Sequence, residues 1–242
     1  MNYSELQQLI LQMAEQGGPS TLDLGDQQLT TLPPEIGQLT HVTSLCLAYN
    51  KLTALPPELG RLTQLTCLDI SSNQLTSIPS TLGELTRLET LELSFNALAM
   101  LPAEIGKLTN LKELVLTGNK LTKLPAEIGK LTSLEVLDLK NNALAILPAE
   151  IGELTNLNEL VLADNKLTKL PAEIGKLTSL EKLDIFQNAI KKLPAEICKL
   201  VQLSELNMGL NETMAVPPEI GALIGLRRLN LQKNLLVSLS PE

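Results

Sequence analysis

The chain is almost without aromatic residues: Tyr, Phe and Trp make up 2% of its 242 residues, and Trp is absent. Hydrophobic residues still reach 44%, so any core must be built from aliphatic side chains. Positive charge is also scarce. Lys and Arg number 19 against 27 Asp and Glu, which leaves a net charge of −8. A general affinity for nucleic acid or anionic lipid needs a cationic face and is not expected on this balance. The partners to expect are proteins with basic or mixed polar and apolar surfaces. No run of about 18 apolar residues occurs, so no membrane span is predicted. The opening segment, MNYSELQQLILQMAEQGG, lacks the basic start and unbroken apolar stretch of a secretory peptide. Cys46, Cys67 and Cys198 are too few and too scattered for a disulfide framework. That usage points to a reducing compartment, the cytosol.

What is abundant is one spacing. Asn50, Asn73, Asn96, Asn119, Asn142, Asn165, Asn188, Asn211 and Asn234 follow one another at intervals of 23 residues. Gln27 stands one interval before Asn50. The template L-x-x-L-x-L-x-x-N-x-L-x-x-L-P-x-x-I-x-x-L-x-x fits ten copies over residues 19–242, the last incomplete. Each part has a mechanical reading. The pair L-x-L, as in Leu114 and Leu116, alternates with period two and predicts a short strand with one buried face. The Asn amide can donate to backbone carbonyls of its own coil and the next. Pro125 and its equivalents suit the first position of a short helical turn. Gly106, Gly129, Gly152 and Gly175 are expected to let the chain leave that turn. A single repeat cannot bury enough to offset its ordering entropy, so the coils must stack as a solenoid.

With the L-P-x-E-I-G-x-L-T signature at Leu101–Thr109 and Leu124–Thr132, the chain resembles leucine-rich repeat proteins of the 23-residue intracellular type. That type is known from bacterial Roco-type GTPases, spirochaete repeat proteins and Ras-scaffolding repeat proteins. The resemblance implies an α/β horseshoe: a parallel sheet lines the concave side, with short helical or 3-10 turns on the convex side. It also implies that proteins bind in the hollow, without saying which.

The ends and two irregularities carry further expectations. Residues 1–18 are predicted to form a capping helix, with Leu6, Leu9, Ile10 and Met13 at helical spacing, Ser4 as N-cap and Gly17-Gly18-Pro19 as the stop. The tenth repeat halts at Glu242, before its Ile and last Leu. An open end implies cover by further chain or by self-association; further chain would make this the sensing or autoinhibitory segment of a larger GTPase or signalling enzyme. In the ninth repeat Thr213 replaces a template Leu, and Met214 is expected to swing in as filler. Residues 97–142 and 143–188 are near copies with nine differences, six of them at free positions of the working face or its rim. Drift and selection for binding both fit that pattern.

Strand side chains alternate, so residues flanking the buried leucines face the hollow. Five of ten repeats carry an acid in the column after the first strand leucine: Asp23, Asp69, Glu92, Asp138 and Asp184. These are either solvated acids or a face that steers basic partners. Val115, Val136, Val161 and Phe186 lie on adjacent repeats among Glu113, Asp138, Lys140, Glu159 and Lys182. An apolar centre with a charged rim is how a binding hot spot is built, although valine is also simply a good strand former. The candidate partner-binding set is therefore Val115, Val136, Val161, Phe186, Asp69, Glu92, Glu113, Asp138, Lys140, Glu159 and Asp184. Lys120, Lys123, Lys166, Lys169, Lys191 and Lys192 follow the asparagines along one edge and read as edge protection.

Catalysis finds no constellation. His41, the only histidine, is expected on a solvent-facing loop with no nucleophile near it. Cys46 and Cys67 are offset on neighbouring strands, with Cα atoms ~8 Å apart, beyond the ~7 Å reach of a disulfide. No phosphate-binding Gly-rich loop is present. The expectation is a scaffold, not an enzyme, with no cofactor and no metal.

Overall fold

The computed structural model describes residues 1–237. Leu239, the last template leucine of the tenth repeat, lies outside them. One α-helix, α1 (Tyr3–Gln16), precedes ten strands. In chain order, β1 to β10 are Thr21–Asp23, Ser44–Cys46, Cys67–Asp69, Thr90–Glu92, Glu113–Val115, Val136–Asp138, Glu159–Val161, Lys182–Asp184, Glu205–Asn207 and Arg228–Asn230. All pair in parallel with their sequence neighbours in one open sheet. The register shifts by one repeat throughout: Leu114 pairs with Leu137, and Leu137 with Leu160. Short 3-10 turns such as Ala126–Lys130 return the chain on the opposite side.

The core is a column of aliphatic layers. Leu114, Leu116, Leu121, Ile128, Leu131 and Leu134 of one repeat are all fully buried. Their counterparts in the neighbouring repeats complete that burial. The asparagine spine ties the layers together. Asn96 Nδ2 donates to the carbonyls of Leu93 (3.1 Å) and Ser94 (3.3 Å) in its own coil and of Ile70 (3.0 Å) in the preceding one. Its Oδ1 accepts from the Leu75 N–H at 2.9 Å. Gln27 performs only the local part of this role, donating to the Gly25 carbonyl.

Several details differ from expectation, each for a physical reason. The template proline stands one residue earlier, at the N-cap: Pro125 has φ −68° and ψ 149°. Its carbonyl accepts from Ile128 N–H at 3.1 Å, closing the first 3-10 bond. The turn glycines have no positive φ; among glycines only Gly17 and Gly118 do. Their requirement is space. A Cβ on Gly129 would meet the Glu150 carbonyl oxygen at 2.6 Å. Helix α1 is capped by Asn2 and not Ser4: Asn2 Oδ1 accepts from Glu5 N–H, and the Glu5 carboxylate accepts from Asn2 N–H. Leu6 and Ile10 are fully buried and join the core.

Thr213 fills the missing leucine's slot itself, wholly buried, with its hydroxyl donating to the Ile190 carbonyl at 2.9 Å. Met214 stays 55% exposed and fills nothing. His41 does not face solvent freely: its Nε2 is buried and has no hydrogen-bond partner among the described residues.

The third residue beyond each strand is left-handed in all ten repeats. Asp26, Tyr49, Ser72, Phe95, Asn141, Asp164, Gln187, Leu210 and Lys233 have φ between 52° and 57°, and Gly118 has 70°. For most L-residues this crowds Cβ against the next carbonyl. Gln187 is exposed, and its N–H bond to the Gly209 carbonyl involves only backbone. Gln187→Gly should therefore raise stability by about 0.5–1 kcal/mol, the ~1–2 kcal/mol left-handed penalty less glycine's entropy. Urea unfolding midpoints check it, and an unchanged or lower midpoint counts against strain at this position.

Candidate protein-binding face

The strand register places Val115, Asp138, Val161 and Asp184 side by side in one row, and Glu113, Val136, Glu159 and Lys182 in the row beside it. All flank fully buried leucines, so the sheet puts them on the one face that the core does not use. It does not gather the valines into a continuous patch. Every valine has an acid on the strand to either side. Val161 is only 7% exposed and forms a floor beneath its neighbours. Val115, Val136 and Phe186 keep intermediate exposure, and Glu113 and Lys140 are exposed.

The acids have a second task that the sequence reading did not recognise. Asp69 accepts from Ser71 N–H at 2.9 Å, Glu92 from Ser94 N–H at 2.8 Å, Asp138 from Lys140 N–H at 2.8 Å, and Asp184 from Phe186 N–H at 3.0 Å. Asn207 and Asn230 do the same for Gly209 and Gln232. Each side chain caps the backbone where it leaves the strand for the left-handed residue. A signal was present: Asp, Glu or Asn recurs at that column in seven of the ten repeats. Val115 and Val161 cannot accept such a bond.

Charge is arranged in ladders one repeat apart. Lys182 contacts Glu159 at 2.5 Å and Arg228 contacts Glu205 at 2.6 Å on this face. The hydrogen bond to Glu159 raises the Lys182 ammonium above its ordinary range. Burial raises the carboxyls of Glu92 and Asp184 above theirs, against the lowering effect of hydrogen bonds from the side chain and backbone of Ser94 and from the Phe186 N–H. Lys140 lies near enough to Asp184 to favour its charged form. The edge lysines Lys120, Lys123, Lys166, Lys169, Lys191 and Lys192 are all exposed.

A groove of about 600 Å³ lies on the convex side, lined by Gly106, Ala126, Gly129, Glu150 and their neighbours, and one of about 530 Å³ lies against the last two strands, at Glu205, Asn207, Arg228 and Asn230. Among the described residues no His, Cys, Asp and Glu cluster could hold a metal ion, and no helix is long and apolar enough to cross a membrane. Cys46 and Cys67 sit diagonally, Cys46 opposite Asp69 and Cys67 opposite Ser44, and all three cysteines are free.

The sequence matches the leucine-rich repeat region family over residues 21–117, 100–166 and 160–239. The chain belongs to that family. It is similar to solved structures that share the coil. A leucine-rich repeat protein of Leptospira interrogans is 35% identical, with TM-score 0.68; the match covers 94% of this chain and 70% of that one. The plant peptide hormone receptor RGFR1, solved in complex with RGF2, is 30% identical with TM-score 0.76. The match covers 90% of this chain and 35% of the receptor chain. The leucine-rich repeat ectodomain of the receptor kinase GASSHO1/SCHENGEN3 from Arabidopsis thaliana, in complex with CASPARIAN STRIP INTEGRITY FACTOR 2, is 35% identical with TM-score 0.74. There the match covers 86% of this chain and 26% of the ectodomain chain. The chain thus spans about a third or less of these receptors. A comparison with curated proteins finds no match.

Proposed function

We propose that this chain is a protein-interaction scaffold that holds its partner on the concave sheet face and performs no reaction of its own. One observation carries the reading: ten strands present a broad face whose side chains the leucine core does not need. That the fold is shared with receptors solved with bound ligands supports it. Val115, Val136 and Phe186 supply the apolar contact, and Val161 supports them from below. Asp69, Glu92, Glu113, Asp138, Glu159 and Asp184 repel acidic proteins and draw basic or mixed ones. Lys140 stands among them as the exposed cation. Three free cysteines suit a reducing, cytosolic setting.

The test is a pull-down with the purified chain, followed by affinity measurement on whatever is retained. Val136→Ala with Phe186→Ala should weaken binding about tenfold or more, as truncation of paired hot-spot residues does. The melting temperature should stay within about 2 °C, because neither side chain belongs to the leucine core. A partner that binds the double variant as tightly as the original chain rejects this region as the contact.

A further inference from the structure

Two of the four aromatics occupy the left-handed position after a strand. Tyr49 has φ 56° and Phe95 has φ 54°. Their rings stand in solvent, 67% and 59% exposed. The combination is unfavourable twice over: a bulky residue crowds its own carbonyl there, and an exposed ring gains nothing from burial. Asn141 and Asp164 meet the same backbone demand with side chains that tolerate it. Strained, exposed rings that the core does not use mark a working surface.

The rings bracket a notch. They belong to the second and fourth repeats, with Ser72 between them, so strand spacing sets their backbones ~10 Å apart. Phe95 lies over Gly118 of the fifth repeat: a Cβ on that glycine would come within 2.7 Å of its Cδ1. The ring therefore leans away from Ser72 and leaves the notch open.

Charge selects the occupant. The concave and rim positions of repeats one to four hold Asp23, Asp26, Asp69 and Glu92 and no Lys or Arg. From the fifth repeat on, the same positions hold Lys140, Lys182, Arg228 and Lys233, and two of these already pair with Glu159 and Glu205. Asp69 uses one carboxylate oxygen on the Ser71 N–H, which leaves the other for a ligand, while Glu92 accepts from both the backbone and the side chain of Ser94. Burial has raised the Glu92 carboxyl, and a cation beside it would offset that. A planar guanidinium both stacks on aromatic faces and pairs with carboxylates, which an ammonium does less well.

We propose that Tyr49, Ser72 and Phe95, with Asp69 and Glu92 behind them, form a docking site for an arginine-bearing extended segment of a protein partner. The guanidinium stacks on the rings, and the carboxylates take its charge. This site deepens the proposed binding reading and shares Asp69 and Glu92 with it, but its rings lie on repeats two and four, whereas Val136 and Phe186 lie on repeats six and eight, so variants at the two pairs tell the sites apart.

The test is calorimetric titration of the intact chain at physiological salt with a Gly/Ser peptide bearing arginines, beside lysine and glutamate versions. The arginine peptide should bind most tightly. Tyr49→Leu with Phe95→Leu keeps bulk but removes the aromatic faces, and should lower affinity about tenfold or more. Asp69→Asn with Glu92→Gln keeps a backbone acceptor and should lower it comparably. Val136→Ala with Phe186→Ala should leave it unchanged. The proposal is overturned if the leucine variant binds normally, if the lysine or glutamate peptide binds as well, or if the Val136 and Phe186 variant loses as much.

Discussion

Asn96→Ala should cost about 3 kcal/mol of folding free energy, read from equilibrium urea unfolding. The Leu75 N–H would lose its only described acceptor inside a buried layer, and one unsatisfied buried group costs ~1–3 kcal/mol. The cavity left by the 9% exposed side chain adds to this. The carbonyls fare better, since Leu93 also receives Asn119 Nδ2 and Ile70 also receives Asn73 Nδ2. Asn234→Ala is the control. Asn234 caps Thr213 N–H in the same way but sits near the open end, half-buried, where water can replace it. Its loss should stay under about 1 kcal/mol. Equal losses at the two sites would show that burial of the spine is not what makes it matter. Because coils couple only to neighbours, the Asn96 variant should also unfold over a broader range of denaturant.

Gly129→Ala should be the second large effect, about 2–3 kcal/mol of destabilisation, because a methyl group is being inserted where backbone cannot yield. Its Cβ would stand 2.6 Å from the Glu150 carbonyl oxygen and 2.9 Å from the Glu150 Cβ. Relief requires the two coils to move apart, which breaks the register above and below. Gly221→Ala makes the counterpart, since nothing lies within 4 Å of a Cβ there. That substitution should be neutral or slightly stabilising. A mild Gly129→Ala phenotype would mean the turns can slide past one another. The chain already contains one natural departure, Cys198 in the glycine position, half-buried, with its thiol pushed up by burial. The turn it faces, Pro218–Ala222, holds no buried residue, unlike the eight before it.

The fold was legible because period dominates it. A 23-residue interval and a period-two leucine pair suffice to place the strands and the aliphatic layers, and with them the face of each free side chain. What stayed hidden depends on contacts between coils. The glycines look like conformational devices in one dimension and prove to be steric ones once Glu150 is set beside Gly129. The acids look solvated until the turn after the strand is seen to need an acceptor. Nothing in composition announces that Tyr49 and Phe95 sit in a left-handed backbone, because only Gly118, Asn141 and the two aspartates of that column give the usual hint. Thr213 escaped because its hydroxyl partner belongs to the preceding coil.

The ion pairs of Glu84 with Lys107, Glu89 with Lys112 and Glu153 with Lys176 all join residues one repeat apart, as do the strand pairings. Among the described residues no bond of this kind reaches a second neighbour. A whole block of coils can then be copied in place, and both seams meet surfaces identical to those they left. Lengthening such an array requires no new interface to be invented: the segments 97–142 and 143–188, alike at all but nine positions, stack through the same strand register.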